Sequence, residues 1–140
     1  MIFGGLGSGK THLAAAIAHE YRAISGSALF VSVPEMLHYM RRFASSNGSR
    51  EFDRLFERVM KAQFLVLDDF GEQSNTPWVN ENIYQLVNFR YNSQLATVFT
   101  VIEGRDRVQE RVLSRLMDSR FSTVVYMPKA NFRLAGRSKS

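Results

Sequence analysis

The chain of 140 residues contains no cysteine, so it has neither a disulfide scaffold nor a thiolate zinc site. It also lacks an apolar run of roughly 20 residues, the length a helix needs to cross a bilayer. Its start does not read as a basic segment followed by an apolar one and a cleavage site. These absences lead us to expect a cytoplasmic protein with no membrane partner. Acid is missing from one end: no aspartate or glutamate follows Asp118, whereas Arg120, Lys129, Arg133, Arg137 and Lys139 do. The formal net charge is +5, but three of those cations lie in the polar end 131–140 and leave the body only mildly basic. Such a balance raises the expectation of a nucleic-acid partner modestly and no more.

What is present is a regular alternation of apolar strands and amphipathic helices, with 45% hydrophobic residues to fill a core. Ile2 and Phe3 read as the end of a buried strand, shorter than usual, which suggests that a natural beginning is missing. Lys10 to Arg22 reads as a helix with Leu13, Ile17 and Tyr21 on its packed face, flanked by Ala14 and Ala18. Ala28 to Val33 is a strand, and Pro34 opens a helix carrying Met36, Leu37, Met40 and Phe43. After the polar loop 45–50, Glu51 to Lys61 is helical, with Phe52, Leu55, Phe56 and Val59 on one side. Gln63 to Asp69 is an apolar strand ending in two acids. Trp78 to Tyr91 is a long helix, Leu95 to Ile102 a central strand, Arg105 to Leu116 a helix and Thr123 to Met127 a last strand. The order predicts a mostly parallel sheet covered on both faces, in one domain spanning 1–140 with a basic tail at 131–140.

Gly4-Gly5-Leu6-Gly7-Ser8-Gly9-Lys10-Thr11 matches the phosphate-loop pattern G-x-x-x-x-G-K-[ST] completely. Glycines let the backbone curl around phosphate, and the following helix offers its positive end. Lys10 is expected to reach the β- and γ-phosphates, and the Thr11 hydroxyl to ligate magnesium. No Asn-Lys-x-Asp segment that would read guanine is visible, so ATP with Mg2+ is the expected ligand. Asp68 and Asp69 stand at the carboxyl end of their strand, where open α/β sheets present ligand-binding groups. Asp68 suits hydrated magnesium, and Asp69 suits orientation of an attacking water. A small kinase would need a second substrate site, and nothing between Arg41 and Lys61 specifies one.

The segments GGLGSGKTHLAAAIA, ALFVSVPEML, FLVLDDFG, LVNFRYNSQLATVFT and RVLSRLMD occur in the order seen in AAA+ ATPases. The chain resembles bacterial helicase loaders of the DnaC/DnaI kind and the IstB-like transposition ATPases, over Ile2 to Arg133. The resemblance implies a three-layer P-loop sandwich of the AAA+ type with its C-terminal lid absent. It further implies homo-oligomers with nucleotide at the subunit interface, and a replicative helicase or a transposase as partner. Arg115, in Ser114-Arg115-Leu116, occupies the place of an arginine that reaches a neighbour's γ-phosphate; an ordinary structural arginine is the alternative, and Arg111 the reserve candidate. The helices from Pro34 to Lys61 resemble an insertion that meets single-stranded DNA. There Arg41, Arg42, Arg50 and Arg54 are candidate phosphate contacts and Tyr39 or Phe43 candidate stacking groups, against a plain charged outer face. Arg90 is expected to form a structural ion pair. One departure concerns catalysis: counting along the last central strand puts Ile102 where the family carries a polar sensor, so binding without hydrolysis is an open outcome. Three functions follow: a loader or initiator ATPase on single-stranded DNA, a transposition helper on double-stranded DNA, and a non-hydrolysing nucleotide-binding scaffold.

Overall fold

The computed structural model describes residues 1–44, 49–103 and 108–128. The phosphate-loop strand β1 (Ile2–Gly4) leads into α1 (Lys10–Ser25), followed by β2 (Leu29–Ser32), α2 (Val33–Ala44), α3 (Ser49–Lys61) and β3 (Phe64–Phe70). Then come α4 (Pro77–Asn92), β4 (Ala96–Ile102), α5 (Glu110–Leu116) and β5 (Val125–Tyr126). The strands form one sheet in the order β2-β3-β4-β1-β5, and every pairing in it is parallel. Strand β1 therefore sits between β4 and β5, although it precedes both in sequence. The P-loop, the end of β3 and the end of β4 open on the same edge of the sheet, the edge at which α/β folds bind ligands.

Side chains alternate across β3, and the two faces pack against different helices. Phe64 and Val66 join Ile2, Ala14 and Ala18 on the α1 side. Leu65 and Leu67 join Leu37, Met40, Phe56, Val59, Ile83, Leu86, Phe99 and Val112 beneath α2 to α5. The result is helix, sheet, helix, with most of the apolar core on the α2–α5 side.

Helix α1 departs from the expected face. Ala14 and Ala18 are the buried positions, whereas Ile17 is 36% exposed. A methyl side chain lets the helix axis approach the sheet, and at that distance larger groups must splay to the flanks. Tyr21 does so and stacks on Phe64 with ring centroids 4.3 Å apart. Helix α5 also starts later than its four-residue spacing suggests. Gln109 is its N-cap, and Val108 is held outside the helix, partly buried against the core. Residues 105–107 of that expected helix lie outside the described residues, as do loop residues 45–48 and the tail 131–140. Thr76 caps α4 by accepting from the Val79 amide at 3.3 Å, and Pro77 fills the first helical position.

Arg90 forms no ion pair with any of the described residues. Its guanidinium is buried and donates to the carbonyls of Val59 at 3.3 Å, Met60 at 2.9 Å and Ala62 at 2.7 Å, the end of α3. It also donates to Ala96 O at 2.8 Å and Thr97 Oγ1 at 2.8 Å on β4. The negative end of the helix takes the place of an acid. Burial lowers the Arg90 pKa to about 10, so the group stays charged at neutral pH. Replacing Arg90 with Met should cost about 3 kcal/mol in a urea-unfolding measurement, because several buried carbonyls lose their donor at once. Lys at this position should recover only part of that loss, having no planar fork of donors.

Candidate nucleotide site

Strand β1 ends at Gly4, and the loop 5–9 turns the chain sharply into α1. Gly7 and Gly9 adopt φ values of 72° and 93°, a region that side chains disfavour. Gly4 has normal backbone torsion but no room: a Cβ there would lie 2.7 Å from Ser8 Oγ and 2.8 Å from Met127 Cβ. The loop is thus formed by close backbone approach, as the sequence pattern requires. Lys10 folds over it, donating to Gly4 O at 2.9 Å and Gly5 O at 2.7 Å. Ser8 Oγ is buried inside the curl without a hydrogen-bond partner among the described residues. A loop of inward curvature with an orphaned hydroxyl and a tethered ammonium fits an anionic group bearing several oxygens.

The acids arrive from β3. Asp68 is buried, and the Thr11 hydroxyl lies 3.0 Å from both of its carboxylate oxygens. A hydroxyl and a carboxylate at this spacing are hard oxygen donors suited to Mg2+, which takes few protein ligands and keeps phosphate and water for the rest. No cluster of three acidic, histidine or cysteine groups occurs among the described residues, so a cage built wholly from such side chains is not available there. Asp69 turns away from Asp68. It takes a left-handed conformation with φ 55°, and the pairing of β3 with β4 slips at this point. Leu67 pairs with Phe99 but Phe70 pairs with Val101, so Asp69 is the extra residue of a bulge. The bulge sends Asp69 into the cleft that Leu6, Gly7, Lys10, Thr11, Ile102 and Met127 also line, a space of about 790 Å³.

Ile102 lines that cleft and lies level with Gly4 in the sheet, so the expected polar sensor position is apolar here. Thr100, two residues earlier, lies on the same side by period two but too far back in the sequence count to replace the sensor, and it contacts both acids. It is fully buried, donates to Asp68 Oδ1 at 2.5 Å and accepts from the Asp69 amide at 3.0 Å. Period two puts Thr100 on the correct face of β4; the bulge brings both acids to it.

Arg115 lies outside the phosphate cleft, between α4 and α5. It donates to Asn88 Oδ1 at 2.9 Å, to Arg111 O at 2.6 Å and to Tyr84 Oη at 3.2 Å. Arg111 lies over the Tyr84 ring at 3.9 Å and 3.5 Å from Glu81. Among the candidate DNA contacts, Arg42, Arg50 and Arg54 are exposed on α2 and α3. Arg41 is exposed as well, but its guanidinium packs over the Trp78 ring at 5.4 Å and reaches Thr76 Oγ1 at 3.4 Å, which ties α2 to the start of α4. Tyr39 is exposed, and Phe43 meets it edge-on at 4.9 Å.

Residues 1–121 match the family described as IstB-like ATP binding protein. The chain belongs to that family. It is 33% identical over 100 residues to the replicative helicase loader DnaI of Bacillus subtilis, covering 71% of this chain and 31% of that protein. It is 29% identical over 112 residues to the replicative helicase loader DnaC of Escherichia coli, covering 80% and 45%. An insertion-sequence protein of Pseudomonas fluorescens, IS1162 putative ATP-binding protein, is 27% identical over 71% of the chain and 42% of its own length. The chain thus spans less than half the length of these relatives. In fold it superposes on the crystal structure of the DnaC helicase loader with a TM-score of 0.79, at 22% identity, over 91% of this chain and 76% of that one. The replication initiator DnaA bound to AMPPCP and single-stranded DNA superposes with a TM-score of 0.77, at 19% identity, over 93% and 40%.

For a member of this family the first measurement is nucleotide affinity. Lys10→Ala should weaken ATP binding in calorimetry by at least about tenfold, since a buried charge facing phosphate is lost. Unchanged affinity would remove the phosphate loop from the site.

Proposed function

We propose that this chain is the ATP-binding core of a replication ATPase of the loader or initiator type, working with a helicase on single-stranded DNA. The observation that carries the reading is the convergence of Lys10, Thr11 and Asp69 on one cleft at the strand ends, with the buried Asp68 held against the Thr11 hydroxyl. Lys10 exchanges its loop carbonyls for phosphate oxygens. Thr11 and Asp68 hold magnesium, directly or through water. Bound Mg2+ supplies charge compensation to the triphosphate. Asp69, projected by its bulge, orients a water and takes its proton. Arg115 serves the ATP of a neighbouring subunit, giving up its Tyr84 and Asn88 contacts to do so; its permanent charge and planar fork suit a γ-phosphoryl group in transfer. Supporting this reading are the helicase-loader relatives and the fold shared with DnaC and DnaA.

A second reading is favoured by the family description and by the insertion-sequence relative: a transposition helper on double-stranded DNA. A third, a scaffold that binds nucleotide without hydrolysis, is favoured by Ile102 in the cleft. ATP turnover separates the third from the others, and a preference for single over double strands separates the first two.

Two experiments test the leading reading. Subunits carrying Asp69→Ala and subunits carrying Arg115→Ala should each be nearly inactive, and mixtures should regain turnover as protein concentration rises, because an intact Asp69 site then meets an intact Arg115. No recovery in verified mixed assemblies removes the shared site, and wild-type turnover in R115A returns Arg115 to a structural part. On the DNA side, replacing Arg41 and Arg42 with Ala should weaken single-strand binding. If both touch phosphate, the log–log salt slope in fluorescence anisotropy becomes shallower by about 1.4. An unchanged slope excludes this surface.

A further inference from the structure

The hydroxyl of Thr100 lies between the two acids that the proposed reaction separates by task. Asp68, beside Thr11, belongs to the metal; Asp69, in the cleft, belongs to the water. Thr100 is fully buried in β4 and uses its hydrogen for Asp68 Oδ1 at 2.5 Å and a lone pair for the Asp69 amide at 3.0 Å. Both bonds depend on the bulge. In a regular parallel pairing the Asp69 amide would engage the backbone of β4; here the slip between Leu67 and Phe70 hands it to a side chain. The left-handed turn at Asp69 is a conformation that residues with a Cβ adopt rarely, aspartate more readily than most, and the surrounding structure holds it. The hydrogen bond from the Asp69 amide to Thr100 contributes to that hold, beside the Glu72 amide, which donates to Asp69 O at 3.2 Å. The same hydroxyl also donates to one oxygen of Asp68, holding the carboxylate where it faces Thr11.

We propose that Thr100 is the positioning residue of this site: it couples the orientation of the metal-binding carboxylate to the turn that projects Asp69, and so sets how strongly magnesium tightens nucleotide binding. The proposal rests on the reading of the cleft as a Mg2+–ATP site. It assigns the polar contribution of β4 to the metal side, one residue pair below the strand end, while Ile102 leaves the water side of the same strand apolar.

The test compares Thr100→Val, which keeps the shape and removes the hydroxyl, with Thr100→Ser, which keeps the hydroxyl and removes a methyl. ATP affinity is measured by calorimetry in excess Mg2+ and in EDTA, and the ratio of the two is the readout. T100V should lose about tenfold of the magnesium-dependent gain, as expected for a buried hydrogen bond to a charged group, and T100S should restore it. In the ligand-free protein, hydrogen exchange at the Asp69 amide should quicken in T100V and stay slow in T100S. If T100V does not fold, Thr100→Ala takes its place against T100S in both measurements. A full magnesium gain in the variant lacking the hydroxyl overturns the proposal, as does a T100S variant that loses the gain equally, since methyl packing would then be responsible. Lys10→Ala separates the two levels: if it binds ATP as well as wild type with and without Mg2+, the cleft is not the nucleotide site and both readings fall. If K10A loses binding while T100V keeps its ratio, only the role of Thr100 falls.

Discussion

The buried carboxylate of Asp68 is the point on which the site depends. It accepts from Thr11 on α1 and from Thr100 on β4 while standing on β3 itself. Three elements distant in sequence are therefore fixed to one group. A charged side chain is tolerated in such a place only when its oxygens have partners. Among the described residues its hydrogen-bond partners are the two hydroxyls of Thr11 and Thr100. The parallel sheet makes this arrangement accessible: β1 pairs with β4 and β4 with β3, so the phosphate loop and the two acid-bearing positions open on the same edge with the end of β4 between them.

Around that point the structure divides its polar interior into two kinds of work. On the nucleotide edge, the polar groups Lys10, Ser8, Thr11, Asp68 and Thr100 surround the open cleft or stand directly beneath it. On the far side of the sheet, Arg90 is enclosed and spends its donors on the end of α3 and on β4. That guanidinium joins the outer helical pair to the central strand. Arg41 adds a second tie, from α2 to the start of α4 through Trp78 and Thr76. The helices that bear the exposed arginines are thus fastened to the sheet at both ends of α4.

The parts that were legible in the sequence are those whose instructions lie in consecutive residues. The phosphate loop is one such case, because its geometry needs glycines at fixed offsets and a Lys-Thr at the helix start. The alternation of strands and helices is another, since period two and period 3.6 are local properties. Ile102, reached by counting along the strand, lies level with Gly4 and lines the cleft. What escaped depends on distances between elements. The face of α1 follows from how closely a helix can approach a sheet, which favours Ala14 and Ala18 over the larger Ile17. The partners of Arg90 are carbonyls, which carry no residue signature. The role of Thr100 depends on a one-residue bulge that no pattern in FLVLDDF announces.

The alanine contact of α1 has a mechanical consequence. Ala14 and Ala18 leave no long side chains between the helix axis and the sheet, so few torsions are available to absorb displacement. The helix behaves as a short strut bearing on β1 and β3, with the phosphate loop at its loaded end. A push on the loop from a ligand's phosphates is transmitted to the strand ends rather than dissipated in side-chain rearrangement. The alanine contact thus gives the loop a close seat on the sheet, whereas the edge strand β5 is only two residues long.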